Sequence, residues 1–199
     1  MKFKIVCLNI NFILKIIVIF FIFASKFNAD NTVCTSDLNN FSSAKKAHKN
    51  NKQVMHCGYC GACSNIDDIK IYYDTRHTLT NISRNCSLHL LKPFSGQEKV
   101  KKCMQKKVNL SPECLECWLN NMKCTKKNCL SICLLAFLSN SNNLMRRCFL
   151  CDELKCGPEF LKCAGANRRN CGITTDIQRE NISICKDSDF DWSTGQSLL

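Results

Sequence analysis

Residues 111–124 read SPECLECWLNNMKC, and this stretch decides the fold class. Ser111 is a typical helix N-cap residue, Pro112 fits the first helical position, and the glutamate that follows favours the first turn. Cys114 and Cys117 are three residues apart, so both sulfur atoms lie on one face of a helix. The stretch therefore predicts a helix that is crosslinked to neighbouring helices through one face.

The same helical spacing recurs further along the chain, where other cysteines stand three or four residues apart. Seven glycines and three prolines are few for a fold rich in β-turns. We predict an all-α protein, a small disulfide-rich bundle of about five or six short helices. Gly165 should end the last helix. The predicted core residues are Trp118, Ile132, Leu135, Phe137, Phe149 and Phe160.

Residues 1–29 have the features of a secretory signal peptide. Lys2 and Lys4 precede an apolar run whose uninterrupted part, residues 16–24, is nine residues long. A helix that spans a bilayer needs roughly 20 apolar residues, so the run is short for a permanent anchor. We expect a secreted protein, with an uncleaved signal anchor as the alternative.

The rest of the chain divides by composition into three parts. Residues 30–54 are polar and predict a mostly irregular arm. Residues 55–192 contain nearly all of the cysteines and predict the helical domain, and residues 193–199 predict a flexible tail.

Cysteine content indicates a disulfide scaffold. After residues 1–29 are removed, 17 of the 18 cysteines remain in 170 residues, a density typical of disulfide-stabilised secreted proteins. The motif HCGYCGAC at residues 56–63 also has the spacing of redox, zinc or iron–sulfur sites. No strand precedes it as in a thioredoxin-like site, and thiols in an oxidising compartment pair with one another. We interpret these cysteines as structural and expect no metal and no cofactor.

Positive charge suggests an anionic partner. The net charge is +12, or +8 without residues 1–29, and Lys101, Lys102 and Lys106 share one predicted helix. The expected partner is an extracellular or cell-surface protein or a polyanion, although solvated lysines on a helix give the same pattern. No aromatic stacking pattern accompanies the charge, so we expect no nucleic acid, and a membrane only as a secondary partner.

Glycosylation sequons are frequent. Five asparagines fit the Asn-x-Ser/Thr rule and predict a glycoprotein with surface sites. They are Asn40, Asn81, Asn85, Asn109 and Asn181.

Three segments together resemble a cysteine-rich secreted family of single-celled eukaryotes, including algae, ciliates and parasitic protists. They are CFLCDELKCGPEFLKCAGANRRNCGITTD at 148–176, CGYCGACSNIDDIKIYYDTRHTLT at 57–80, and residues 111–124. That family has no assigned activity, so the resemblance implies one secreted module and no mechanism. It has serine where this chain has Cys171, which implies that Cys171 is the unpaired cysteine.

The resemblance thus implies eight bridges among the other sixteen cysteines of the mature chain, and Cys171 would be free, capped or bonded to a second molecule. The sixteen are Cys34, Cys57, Cys60, Cys63, Cys86, Cys103, Cys114, Cys117, Cys124, Cys129, Cys133, Cys148, Cys151, Cys156, Cys163 and Cys185.

These features favour a non-catalytic extracellular protein with a binding or structural role. The predicted contact residues are Asn167, Arg168 and Arg169, because two adjacent guanidinium groups beyond a helix can hold an anion through paired hydrogen bonds. The alternatives are a saposin-like lipid-interacting protein and a secreted hydrolase on a helical scaffold. The cysteines argue against the first, since its helices would have to separate.

Overall fold

The computed structural model describes residues 31–92, 95–139, 141–174, 185–191 and 196–197. The predicted signal peptide, Asn181 and most of the predicted tail lie outside these residues. The elements in chain order are β1 Val33–Thr35, β2 Asn40–Phe41, α1 Ala44–Lys49, β3 Val54–Cys57, α2 Ile66–Asp74, α3 Leu79–Ser87, a 3₁₀ turn Leu88–Leu91, α4 Gly96–Lys107, α5 Pro112–Ser139, α6 Asn142–Lys155, α7 Gly157–Ala164, β4 Phe190–Asp191 and β5 Gln196–Ser197.

The predicted fold class is confirmed, because the described chain is mostly helical and rich in disulfides. The number of helices is slightly higher than the five or six expected. The described residues form seven α-helices, and α5 alone is 28 residues long. This length is possible because no glycine or proline interrupts residues 113–139.

The N-terminal segment differs from the irregular arm that we expected. Strands β1, β2 and β3 form an antiparallel sheet in the order β2-β1-β3. Val33, Ala47 and Val54 are fully buried in a small second core beneath it, and a disulfide joins Cys34 to Cys60. Residues 30–54 contain few apolar side chains. Pairing of β1 with β3 and the Cys34–Cys60 bond bring these side chains together in the second core.

The C-terminal tail is also partly ordered. Strand β5 pairs antiparallel with β4, with Ser197 opposite Phe190. Phe190 is buried against the main core. Residues 196–197 of the predicted flexible tail are therefore paired as a strand.

Helices α5 and α6 form an antiparallel hairpin that is crosslinked at three levels. The bonds are Cys124–Cys156, Cys129–Cys151 and Cys133–Cys148. The cysteines of each helix recur at about one turn, so every bond spans the same interface. The hairpin cannot separate unless these bonds are reduced.

A buried carboxylate fixes the beginning of α5. Asp68 of α2 accepts hydrogen bonds from the backbone nitrogen of Ser111 at 2.8 Å and from its hydroxyl at 2.5 Å. Asn65, the N-cap residue of α2, donates to the same carboxylate at 2.6 Å. The predicted helix start at Ser111-Pro112 is correct, and this network joins it to α2.

Of the six predicted core residues, two pack against the main core, two are exposed, and Ile132 and Phe149 are half-buried. Trp118 and Phe160 pack against the main core with their rings edge to face at 5.2 Å. Leu135 and Phe137, however, are 55% and 37% exposed. Both lie near the C-terminal end of α5, beyond the part of the helix that packs against the main core.

Two glycines meet where α7 ends. Gly165 has φ 68° and ends the helix as predicted, and its position is packed against Gly61. The backbone nitrogens of Ala62 and Cys63 donate to the carbonyls of Cys163 and Ala164 at 3.0 and 2.8 Å. A Cβ atom on Gly165 would lie 2.2 Å from the Gly61 nitrogen. The motif at residues 56–63 thus packs directly on α7.

His56 of that motif is buried and neutral. Its Nδ1 donates to the Cys57 carbonyl at 2.9 Å, so its Nε2 accepts from the Ser64 hydroxyl at 2.8 Å. Burial lowers the pKa of His56 below its usual value of 6.5. The side chain is fully inaccessible, which assigns it to the structure of the motif.

Acid should therefore destabilise the fold through His56. Below pH 6.5 the unfolded chain binds a proton at this residue while the folded chain does not. Because the pKa of His56 is lowered in the folded protein, the free energy of unfolding should fall, by up to about 1.4 kcal/mol per pH unit, as the pH decreases below 6.5. Guanidinium unfolding at several pH values measures the slope. His56→Gln should flatten it and the matched exposed variant His77→Gln should not; equal slopes in all three proteins would contradict this role.

The eight disulfides are typical of proteins of the secretory pathway or the extracellular space, and they indicate a covalently stabilised protein. Among the residues described, no helix is both long enough and apolar enough to cross a bilayer.

Candidate functional site

A cleft of about 180 Å³ lies between the α5–α6 hairpin on one side and α3 with its 3₁₀ turn on the other. Arg168, from the loop after α7, also lines it. An apolar cavity of roughly 150 Å³ is large enough to bind benzene, whereas drug-sized ligands need about 300 Å³ or more. The cleft therefore fits one small apolar group or part of a chain.

One face of α5 forms the main wall. Its lining residues recur at three- and four-residue steps, so they project from a single side of the helix. Met145 and Phe149 of α6 and Leu88 and Leu90 of the 3₁₀ turn complete the apolar surface. The α5 residues on this face are Trp118, Asn121, Met122, Thr125, Lys126, Leu130, Cys133, Leu134 and Phe137.

The rim of the cleft is apolar and accessible. Leu91, Leu130 and Phe137 all line it, and they are 46%, 39% and 37% exposed. Exposed leucines and phenylalanines that converge on a cavity are unusual on a soluble protein surface and commonly mark a binding groove. A ligand could therefore enter without passing a polar barrier.

A disulfide forms part of the wall. Cys133 and Cys148 both line the cleft and are bonded to each other. This bond fixes the distance between α5 and α6 beside the cavity, so the shape of the wall is covalently set.

Polar groups inside the cleft mostly bind one another. Asp152 accepts hydrogen bonds from the Asn121 amide at 3.2 Å and from the Thr125 hydroxyl. Lys126 donates to the carbonyl of Leu90 at 2.6 Å. These contacts join α5 to α6 and to the 3₁₀ turn, and they leave the middle of the cleft to apolar side chains.

Arg84 is the exception. Its guanidinium carbon lies 5.7 Å from the centre of the Phe137 ring, and its Nη1 is 3.9 Å from the Met145 sulfur. Its Nε is buried and has no hydrogen-bond partner. Asn121 Oδ1 is likewise buried without a partner. Arg84 is thus a cation of the cleft with a buried donor that has no acceptor, and apolar groups surround it.

The predicted anion-binding segment is arranged differently from our expectation. Arg168 donates from Nη1 to the Arg76 carbonyl and from Nη2 to the Thr80 hydroxyl, both at 2.9 Å. Arg169 instead lies 2.8 Å from a carboxylate oxygen of Glu153. Asn167 closes the loop by accepting from the backbone nitrogens of Arg169 and Asn170. Arg168 and Arg169 are adjacent in sequence but bind different groups within the protein. The geometry therefore does not support joint binding of one anion by the two guanidinium groups.

The predicted lysine face lies on α4. Lys102 and Lys106 are exposed and Lys101 is half-buried, and Lys102 is 3.7 Å from Glu98. These residues do not line the cleft, and binding of a polyanion to them stays a prediction. Four of the predicted glycosylation sites are exposed, namely Asn40, Asn81, Asn85 and Asn109.

The three cysteines of HCGYCGAC have three different partners. They form Cys34–Cys60, Cys57–Cys185 and Cys63–Cys114. The remaining two bonds of the domain are Cys86–Cys103 and Cys117–Cys163. The two cysteines of each Cys-x-x-Cys spacing in this motif therefore belong to different disulfide bonds. Together these bonds attach the motif to strand β1, to the C-terminal segment and to α5.

Cys171 is the free thiol among the described residues, and it is fully buried. Burial raises its pKa far above the ordinary value for a thiol. Of the three states considered for Cys171, a bond to a second molecule would need an accessible sulfur, which this conformation does not offer.

Sequence reasoning missed Arg84 and the polar pair of Asn121 and Asp152. Arg84 stands alone between polar residues in SRN, outside every basic cluster. The sequence offers one sign that Arg84 and Thr80 share a helix face, because they are four residues apart. Leu79 and Cys86 are the buried residues of the same helix.

Residues 97–187 match a family of unknown function, DUF8771. The match includes the α5–α6 hairpin and ends beyond Cys185, whereas α3 and the N-terminal sheet precede it. No curated protein matches the chain, and no solved structure matches it. The comparisons therefore find a DUF8771 region that supplies no activity, and function must be argued from the cleft.

Proposed function

We propose that this chain is a secreted, non-catalytic binding protein that holds one small amphiphile, with its apolar part in the cleft. The observation that carries the proposal is a preformed apolar cavity of about 180 Å³ that opens at an exposed leucine and phenylalanine rim. Burying an apolar chain there is favourable by about 25 cal/mol per Å² of area removed from water.

The disulfides support binding without large movement. A saposin-like mechanism would require the helices to separate, but three bonds hold α5 to α6. The cleft lies beside that hairpin and is already open, so the ligand does not need to part it. A preorganised site also avoids the entropic cost of ordering on binding.

A neutral fluorescent probe tests the proposal. N-phenyl-1-naphthylamine should bind the native protein with one site and increased emission. Ser83→Phe places a ring in the cleft and should weaken probe binding at least tenfold. Ser131→Phe adds the same ring to an exposed position of α5 outside the cleft, so it should bind like the native protein.

Native protein that fails to bind the probe would contradict the proposal. Equal weakening by Ser83→Phe and Ser131→Phe would contradict it too, because the loss would then not come from filling the cleft. The thermal unfolding midpoints of both variants, measured in parallel, show whether each remains folded.

A further inference from the structure

We infer that the ligand carries an anionic head group, a carboxylate, sulfate or phosphate monoester, which pairs with Arg84. This inference rests on the proposed function and specifies the chemical class of the ligand. The cleft then has two matched parts, apolar walls for the chain and one guanidinium for the head.

Among the described residues, the surroundings of Arg84 contain no group that neutralises its charge. The Phe137 ring centre lies 5.7 Å from its guanidinium carbon, and the Met145 sulfur lies 3.9 Å from its Nη1. Neither neutralises a positive charge, and Nε is buried with no acceptor. A cation that is partly removed from water among apolar groups is costly unless an anion or a strong acceptor reaches it.

The other charges of the cleft do not fill this role. Asp152 is the carboxylate among the lining residues, and it is held by Asn121 and Thr125. Arg168 and Lys126 are the remaining cations, and backbone carbonyls and the Thr80 hydroxyl accept from them. Three cations against one carboxylate leave the lining positive, which favours an anionic ligand.

Position also suits an amphiphile. Arg84 projects from α3 toward Phe137 and Met145 on the facing hairpin, and Phe137 belongs to the exposed rim. A head group on Arg84 would therefore remain near the rim while the chain extends along Met122, Leu134 and Phe149. Guanidinium groups bind carboxylates and phosphates through two parallel hydrogen bonds, which gives this contact directional selectivity.

Two ligands that share one chain test the inference. Dodecanoate and dodecanol, both below their aggregation limits, should displace the probe from the native protein, and dodecanoate should bind at least tenfold more tightly, as expected for a charge-assisted hydrogen bond. Arg84→Gln should bring the two affinities together. Arg147→Gln removes one exposed cation of α6 outside the cleft and should retain the preference.

The outcomes separate this inference from the proposed function. If dodecanol binds the native protein as tightly as dodecanoate, the anionic class is wrong and the apolar cleft stands. If Arg84→Gln retains the full preference, the assignment to Arg84 is wrong. If neither ligand displaces the probe and the probe itself does not bind, the proposed function fails. Unchanged probe binding by Arg84→Gln shows that this variant is folded.

Vesicle flotation distinguishes the source of the anion. Flotation with phosphatidic acid vesicles that depends on Arg84, and no flotation with phosphatidylcholine vesicles, would support a bilayer lipid as the ligand. Binding of dodecanoate without flotation would support a free amphiphile. Flotation that Arg84→Gln leaves unchanged, with no binding of dodecanoate, would overturn the inference.

Discussion

Gly165→Ala is expected to lower the free energy of unfolding by about 3–5 kcal/mol. Gly165 has φ 68°, a conformation that costs energy for any residue with a Cβ atom. The new methyl carbon would also lie 2.2 Å from the Gly61 nitrogen and 2.6 Å from the Ser64 hydroxyl. The first of these atoms is backbone, so α7 would have to move away from the motif at residues 56–63.

Guanidinium unfolding with the disulfides intact measures the loss, and Gly157→Ala is the matched control. Gly157 begins α7, and an added Cβ there meets no atom within 4 Å. Alanine is the better helix former, so this control should be neutral or stabilising by up to about 1 kcal/mol. A Gly165→Ala protein as stable as the control would show that the two glycines are not in contact.

Removal of the Cys133–Cys148 bond should have the second large effect. The bond closes a loop of sequence separation 15, so Cys133→Ala with Cys148→Ala should cost about 3 kcal/mol of stability by the chain-entropy estimate. Because both sulfurs line the cleft, the same variant should bind the neutral probe several-fold more weakly. Unfolding and probe titration on one preparation measure both.

Cys124→Ala with Cys156→Ala is the control for that pair. It removes another bond of the same hairpin, and neither residue lines the cleft. Its stability should fall by a comparable amount of about 3 kcal/mol, while its probe affinity should stay at the native value. If both double variants lost affinity equally, the wall of the cleft would not depend on the Cys133–Cys148 bond in particular.

Local features of the fold could be read from the sequence because their causes are local. The start of α5 at Ser111-Pro112 and the end of α7 at Gly165 follow from capping and from backbone conformation alone. The N-cap at Asn65 has the same local origin, because its side-chain oxygen accepts from the backbone nitrogen of Asp68, three residues further on.

Features that depend on distant partners could not be read in this way. Cysteine spacing indicates staples, but connectivity among sixteen cysteines is not determined by sequence. The N-terminal sheet depends on pairing between β1 and β3, whose residues are separated by about twenty positions and by helix α1. Strands of two to four residues are too short to give a periodic signal of their own.

The candidate site shows the same division. Arg168 and Arg169 form a visible pair in the sequence, yet their guanidinium groups contact Thr80 and Glu153 on different helices. Arg84 forms no visible pattern, and its importance arises only when Phe137 and Met145 come beside it. The direction of a side chain depends on the backbone segment that carries it. A cluster of charges in the sequence does not contain this information.

Disulfide mapping tests the central claim most directly, namely that eight bonds hold the cleft in shape. The native protein is alkylated in denaturant without reduction, digested and analysed by mass spectrometry. We expect the three hairpin pairs Cys124–Cys156, Cys129–Cys151 and Cys133–Cys148, and alkylation of Cys171 alone among the cysteines from 34 to 185. Extensive alkylation of the hairpin cysteines, or bonds from Cys124, Cys129 or Cys133 to partners other than Cys156, Cys151 and Cys148, would contradict the account.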